Sequence, residues 1–163
     1  MTRIEKAIYY ARKQVENGSV YVWGGQGELI RKLTVEKLAK MENSSYNAGR
    51  VEAHIKDTLS KINSKGKIYD CSGLVICSLI YAGVLPKGYD NTAFGLYKSF
   101  EKIPFNQIRP GDLAYKKDSS GDIVHVGLIV SATEIIEAKG RDYGVVLSKL
   151  NETWDLFNRP EYT

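Results

Sequence analysis

The sequence predicts an α+β fold, with helices in the first part of the chain and an antiparallel sheet in the last part. Before position 100, apolar residues recur at steps of three and four, which is typical of helices that bury one face. After position 110 they alternate with polar residues or form short runs between turns, which is typical of strands. The chain has 163 residues, of which 43% are hydrophobic. That length supports one core, so we expect a single domain spanning residues 1–163.

The first predicted helix covers about residues 3–16 and ends at Asn17 and Gly18. An extended segment at 19–23 and a glycine-rich turn follow. A charged stretch at 28–67 comes next, and its second half carries an apolar stripe made of Ala48, Val51, Ile55, Leu59 and Ile62. This periodicity predicts a helical insertion, which we expect to form two helices.

An apolar run predicts a mostly buried helix over residues 71–82. A shorter helix is expected to begin at Asn91 or Thr92, either of which can cap it, and to end before Pro104. Turns at 109–112 and 119–122 then separate the predicted strands, which are 113–116, 123–130, 135–138 and 145–147. These strands form a meander, and the buried helix packs on one face of it.

Composition excludes several classes of protein. The net charge of +4 is not gathered into a basic run, so nucleic acid is not an expected partner, although a modest positive charge favours anionic polymers. No apolar run approaches the ~20 residues that a membrane span needs. The N-terminus lacks the apolar core of a signal peptide. Cys71 and Cys77 point in different directions on one helix and cannot form a disulfide there, and their spacing is not that of a zinc site.

Cys71 is the candidate nucleophile, because it lies at the predicted start of the buried helix. A helix N-terminus favours the thiolate, and its free N–H groups can stabilise the oxyanion that forms when the thiolate attacks an amide. This position is typical of a papain-like arrangement. The alternative is that the cysteine is a small buried hydrophobe, which is our interpretation of Cys77. The polar residues Asp70 and Ser72 favour the nucleophile for Cys71.

His125 is the better of two candidates for the general base, and His54 lies on the charged stretch. Strand alternation places His125 and Gly127 on one face, where Gly127 is expected to let a helix approach closely. If Ser131 to Thr133 form a hairpin loop, Glu137 pairs across from Gly127 and is a diagonal neighbour of His125. The spacing predicts a Cys71, His125, Glu137 triad, although His125 and Glu137 could also be ordinary strand residues.

At four places the sequence resembles the NlpC family of papain-like cell-wall cysteine endopeptidases. The matching residues are Tyr21 to Gly25, Asp70 to Gly73, Pro110 to Leu113 and His125 to Gly127. The resemblance covers most of residues 1–150 except the segment between Gly27 and Tyr69, which is much shorter in typical members.

The resemblance implies a role for each matching residue. Cys71 is the nucleophile and His125 the base, while the hydroxyl of Tyr21 lies near the oxyanion and substrate. Asp70 and Ser72 flank the nucleophile and line the substrate site. Many members have a histidine twelve positions after the base, where this sequence has Glu137. A carboxylate there can also orient an imidazole.

The resemblance further implies cleavage of peptidoglycan stem peptides beside a D-glutamyl residue, through a thioester, without metal or cofactor. The expected protein is a monomer that acts on the cell wall. The 28–67 insertion, the missing signal and the run at 137–140 resemble phage-type members, namely lysins or tail-associated hydrolases. The alternatives are an N-acetylmuramoyl-L-alanine amidase, a papain-like acyltransferase and a non-catalytic wall-binding module. We expect the insertion to lie beside the active-site cleft.

Overall fold

The computed structural model describes all 163 residues. The helices are α1 (Arg3–Glu16), α2 (Val35–Glu42), α3 (Ser45–Asp57), α4 (Cys71–Tyr81) and α5 (Ala93–Ser99). The strands are β1 (Val20–Tyr21), β2 (Gln26–Leu29), β3 (Lys67–Tyr69), β4 (Glu101–Lys102), β5 (Leu113–Lys117), β6 (Ile123–Ile129), β7 (Glu134–Gly140), β8 (Gly144–Lys149) and β9 (Leu156–Arg159). The predicted α+β class is confirmed, and no helix is long and apolar enough to cross a bilayer.

The larger sheet has six strands in the order β4-β9-β5-β6-β7-β8, and all neighbouring strands in it are antiparallel. Strands β5 to β8 form the predicted meander. Strand β9 was not predicted; it returns to pair with β5 on the outer side. Arg159 of β9 binds the buried carboxylate of Asp112 at 2.7 Å, so the Pro110 to Leu113 turn anchors the end of the chain.

The main core lies between one face of this sheet and helices α1 and α4. Helix α4 contributes Leu74, Val75 and Leu79, which are fully buried against sheet residues such as Val126 and Leu128. Because α4 is apolar almost all round, burial in this core rather than an amphipathic face holds it in place. The predicted buried helix and its packing on the sheet are confirmed.

The 28–67 segment contains the two expected helices, α2 and α3, but strands occupy its ends. Strand β3 pairs in parallel with β1 and antiparallel with β2, which makes a small three-stranded sheet. The stripe prediction was wrong beyond Asp57, where α3 ends. The Thr58 hydroxyl donates to the His54 carbonyl, and Leu59 lies in a short 3₁₀ turn, 65% exposed. Ile62 follows that turn.

Candidate active site

A close crossing of two loops fixes the start of α4. An added Cβ on Gly73 would collide with the carbonyl oxygen of Gly25, so only glycine fits there. The same carbonyl accepts the Asp70 N–H at 2.9 Å, and the Asp70 carboxylate accepts the Gly24 N–H at 3.2 Å. The glycines and the aspartate in the two motifs therefore build one joint that sets where Cys71 begins the helix.

Cys71 is the first residue of α4 and is partly exposed. Asp70 caps the helix: its side chain accepts the Gly73 N–H at 2.7 Å and its carbonyl the Leu74 N–H at 3.1 Å. The amides that the cap leaves at the helix start are those of Cys71 and Ser72, which are the groups that could stabilise an oxyanion. Cys71 Sγ lies 3.9 Å from the carbonyl oxygen of Val124, the residue before His125.

His125 and Glu137 meet across the β6–β7 hairpin. Residues 131–133 form the hairpin loop, and the strands pair at Leu128 with Ile136. This is the register that the sequence predicts, and His125 Nε2 lies 2.8 Å from Glu137 Oε1. Since Nε2 is engaged by the carboxylate, Nδ1 is the nitrogen available to the thiol.

The expectation for Gly127 was wrong. An added Cβ there would meet the Ile135 side chain and the Ile136 carbonyl, not a helix. Helix α4 packs instead on the face that carries Val126 and Leu128. Gly127 thus allows close packing between β6 and β7 beside the histidine.

The surroundings favour a charged His125. Burial lowers the pKa of His125, but the nearby Cys71 thiol and Glu137 carboxylate outweigh it and raise the pKa to about 9. Burial acts to raise the pKa of Glu137, but hydrogen bonds from His125 and Ser148 and the charges of His125 and Lys116 lower it overall. The site is therefore built to hold an imidazolium beside a carboxylate.

Trp154 covers the histidine, which the sequence did not predict. Its ring stacks on His125 with centroids 5.5 Å apart, and it is 5% exposed. Lys116 lies opposite His125 in the β5–β6 pairing, and its Nζ is 4.5 Å from the centroid of the Trp154 ring. The indole thus shields one side of the imidazole from water.

Tyr21 is buried beside the nucleophile. Burial and the nearby negative charges of Cys71 and Asp70 raise its pKa, while Arg141 acts in the opposite direction. The phenol is therefore a neutral donor at physiological pH. Its hydroxyl has no hydrogen-bond partner in the protein, and because no buried side-chain oxygen lacks a partner, the hydroxyl reaches solvent. The role of this hydroxyl near the oxyanion and substrate stays a prediction.

Asp70 and Ser72 bond to each other rather than to the other site residues. The Ser72 hydroxyl donates to Asp70 Oδ1 at 3.2 Å, and both Asp70 oxygens accept backbone amides. Burial raises the pKa of Asp70 against these hydrogen bonds. Both residues position α4, and their role in binding substrate stays a prediction.

The sequence analysis did not predict several other residues near the site, namely Glu42, Arg141, Ser148 and Trp154. Lys116 could have been found from the β5–β6 hairpin register, as Glu137 was from the next hairpin. Glu42 and Arg141 are 99 positions apart and gave no local signal. No group of three or more histidine, cysteine, aspartate or glutamate side chains is placed to hold a metal ion.

The layout of helix α4 against an antiparallel sheet, with a cysteine at the helix start and a histidine on the sheet, defines a papain-like α+β domain. The model of the NlpC/P60 family matches residues 18–156. The chain belongs to the NlpC/P60 family, whose members include peptidoglycan hydrolases and also non-catalytic proteins. Among curated proteins, none matches the chain.

Three solved structures illustrate the range of similar proteins. The P60 domain of an antigen from M. avium subspecies paratuberculosis is 22% identical, with 96% of each chain covered and a TM-score of 0.57. The peptidoglycan hydrolase RipB from Mycobacterium tuberculosis is 22% identical over 98% of this chain and 67% of its own, with a TM-score of 0.58. RipD from the same organism is described as a non-catalytic domain adapted to peptidoglycan binding; it is 18% identical over 98% of each chain, with a TM-score of 0.61. These likenesses support the fold.

Proposed function

We propose that this protein is a cysteine endopeptidase that cleaves the peptide stems of bacterial peptidoglycan beside a D-glutamyl residue. The observation that carries the proposal is the 2.8 Å contact between His125 and Glu137, with Cys71 at the start of α4 next to the strand that holds His125. A purely structural cysteine would not need a charged imidazole and a buried carboxylate beside it.

The proposed reaction begins with the Cys71 thiolate attacking the carbonyl carbon of the scissile amide. The resulting oxyanion is stabilised by the helix-start amides and the Tyr21 hydroxyl. As the C–N bond breaks, the imidazolium of His125 gives its proton to the leaving amine, and a thioester remains on Cys71. Neutral His125 then takes a proton from water, whose oxygen attacks the thioester and releases the acid and the thiolate. Glu137 orients the imidazole throughout.

The test is digestion of purified peptidoglycan by the wild-type protein and by Cys71→Ala, with the products identified by mass. We expect the wild type to release fragments cut within the stem and the variant to release none. Release of intact stems with a free L-alanine amine would indicate the amidase, and a modified acceptor would indicate an acyltransferase. Equal products from both proteins would rule out the mechanism.

The non-catalytic alternative is favoured by one observation, the similarity to RipD, which is described as non-catalytic. A wall-binding module would bind peptidoglycan but release nothing, and a thiol reagent would not distinguish Cys71 from Cys77. Burial raises the pKa of Cys77 to about 11, so it serves as an internal unreactive thiol. Selective labelling of Cys71 near neutral pH therefore supports the enzyme.

The phage-type assignment and action on the wall after release from a cell also remain proposals. They rest on the 28–67 segment and on the run at 137–140, and none of the three structures named above bears on them. Lysis assays test from which side of the wall the protein acts. They compare intact bacteria to which the protein is added with bacteria that express the protein inside the cell. Lysis only from outside would contradict the lysin proposal.

A further inference from the structure

A buried ion pair joins the 28–67 segment to the turn between β7 and β8. The Glu42 carboxylate, whose side chain has no exposed surface, accepts hydrogen bonds from Nε and Nη2 of Arg141 at 2.7 to 3.1 Å. It also accepts the Trp23 N–H at 3.2 Å. The Arg141 guanidinium lies 5.3 Å from the centroid of the Tyr21 ring. Glu42 therefore holds Arg141 against a residue of the candidate active site.

A second pair binds the same turn with the charges reversed. Arg50 of α3 donates to both oxygens of Asp142 at 3.0 and 2.8 Å. This pair is more exposed, and its guanidinium lies over Tyr46 rather than Tyr21. The two pairs fix the turn from two sides, and the second provides a matched control for the first.

Arg141 keeps donors that the protein does not use. A guanidinium has two edges, and each can bind a carboxylate through two parallel N–H groups. Glu42 occupies the edge formed by Nε and Nη2. Nη1 makes no hydrogen bond, and because no buried side-chain nitrogen lacks a partner, Nη1 reaches solvent. The neighbouring Tyr21 hydroxyl is open in the same way.

We propose that the open edge of Arg141, which lies beside Tyr21, binds a carboxylate of the peptide substrate. The inference rests on the proposed hydrolase function, because it assigns specificity to the same cleft. A residue linked through its side-chain carboxyl keeps an α-carboxylate close to the scissile carbonyl. In a γ-linked glutamyl residue the two carboxyl carbons are about 5 Å apart when extended. Tyr21 lies near both Cys71 and Arg141, so we expect a substrate group of this length to bring its carbonyl to Cys71 and its carboxylate to Arg141.

The charge distribution supports an anionic ligand on this side. The 28–67 segment has nine Lys and Arg against five Asp and Glu, so it carries a net +4, which equals the net charge of the whole chain. Long-range attraction thus concentrates anions near the segment. Glu42 neutralises Arg141 locally, so discrimination comes from the geometry of two hydrogen bonds. Glu42 is accordingly a positioning residue, and the segment shapes the cleft through it.

The test compares two synthetic stem peptides, L-alanyl-γ-D-glutamyl-L-lysine with a free α-carboxylate and the same peptide with an α-carboxamide. We measure kcat and KM for cleavage, and we measure binding of both peptides to the Cys71→Ala protein by calorimetry. We expect wild type to prefer the acid by about tenfold or more. Arg141→Gln should reduce the preference below about threefold, mainly through KM, and Arg141→Lys should give an intermediate value because it keeps the charge but loses the fork.

Arg50→Gln is the matched control, since it removes one charge and one bidentate pair from the same turn. It should keep the full preference for the acid. A wild-type preference near one, or equal losses in Arg50→Gln and Arg141→Gln, would overturn the proposal. If neither peptide is cleaved, the hydrolase proposal fails, but the carboxylate site at Arg141 can still be tested by binding to the Cys71→Ala protein. Equal affinity of that protein for the acid and the amide would contradict the carboxylate site. If a variant fails to fold, the comparison of the acid and the amide peptide with the wild-type protein still tests the proposal.

Discussion

His125 is the residue whose chemistry depends most on its neighbours. It lies between a thiol and a carboxylate and beneath an indole, and its pKa of about 9 reflects the two acidic groups prevailing over burial. A carboxylate at position 137 stabilises the imidazolium more directly than a neutral histidine would, because it carries a full negative charge. The glutamate at this position therefore favours the imidazolium form of His125.

Glu137→Gln should lower the pKa of His125, since it removes the negative charge that stabilises the imidazolium. The side-chain signals of the two histidines, followed by NMR from pH 5 to 10, report this directly, with His54 as an internal reference. In the active protein, the alkaline fall of kcat/KM should move from about pH 9 to lower pH. Glu134→Gln, on the same strand, should leave both unchanged. An unshifted His125 in Glu137→Gln would show that the carboxylate does not act on the imidazole.

The same pair makes folding stability depend on pH. The pKa of His125 is raised from 6.5, so its contribution is complete below about pH 6.5 and is lost as pH rises through about 9. The pKa of Glu137 is lowered from 4.5, so its contribution is complete above about pH 4.5 and is lost as the carboxylate protonates. The destabilisation caused by Glu137→Gln, measured by urea unfolding, should be largest between about pH 4.5 and about pH 6.5, where both contributions are complete. A destabilisation that stays constant from pH 3 to 10 would contradict the coupling.

The sequence predicted some residue contacts and not others for a physical reason. His125 and Glu137 are joined by one short hairpin, so strand register alone brings them together. Trp154 reaches His125 only because β9 returns to the far side of β5, and Arg141 reaches Glu42 only after the whole chain has folded. Contacts of this kind have no local pattern to reveal them.

At the scale of elements, the crossing of Gly25 and Gly73 is the joint on which the nucleophile depends. Gly73→Ala places a methyl group against the Gly25 carbonyl, so either the turn or the start of α4 must move. We expect a loss of about 1–3 kcal/mol in the free energy of unfolding. Gly49→Ala is the control: Gly49 is exposed within α3 with nothing within 4 Å of an added Cβ, and it should gain about 0.5–1 kcal/mol. Urea unfolding measures both, and equal effects would show that the crossing is not tight.

Elements with strong periodicity were predicted well and short ones poorly. Helices α1 and α3 follow from apolar spacing, and α4 follows from its long apolar run. Strands β2, β3 and β9 have three or four residues, and their pairing depends on distant partners, so their own residues do not define them. The apolar stripe continued past Asp57 in sequence although the helix ended there, at Thr58, whose hydroxyl bonds back to the His54 carbonyl.

At the scale of the whole molecule, a second and smaller core packs α2 and α3 onto the small sheet. Leu38, Ala48 and Val51 are buried against Val20 and Ile68 of that sheet. The ion pairs of the segment with the β7–β8 turn attach it to the large sheet as well. Strands β1 and β3 contribute residues to both the main core and the smaller core. We therefore expect the chain to unfold as one cooperative unit, in keeping with a single domain.

Leu38→Ala tests this expectation, because it removes a side chain that is 2% exposed in the smaller core. It should cost about 2–5 kcal/mol, whereas Val35→Ala, on the same helix at 70% exposure, should change stability by less than about 0.5 kcal/mol. The two tryptophans report on different regions, so urea unfolding is followed in backgrounds that keep only Trp23, near the segment, or only Trp154, on the large sheet. If the chain is one domain, Leu38→Ala shifts both transitions to the same lower urea concentration. If only the Trp23 transition moves, the 28–67 segment unfolds separately from the large sheet. The Glu42–Arg141 ion pair would then couple the segment to the large sheet only weakly.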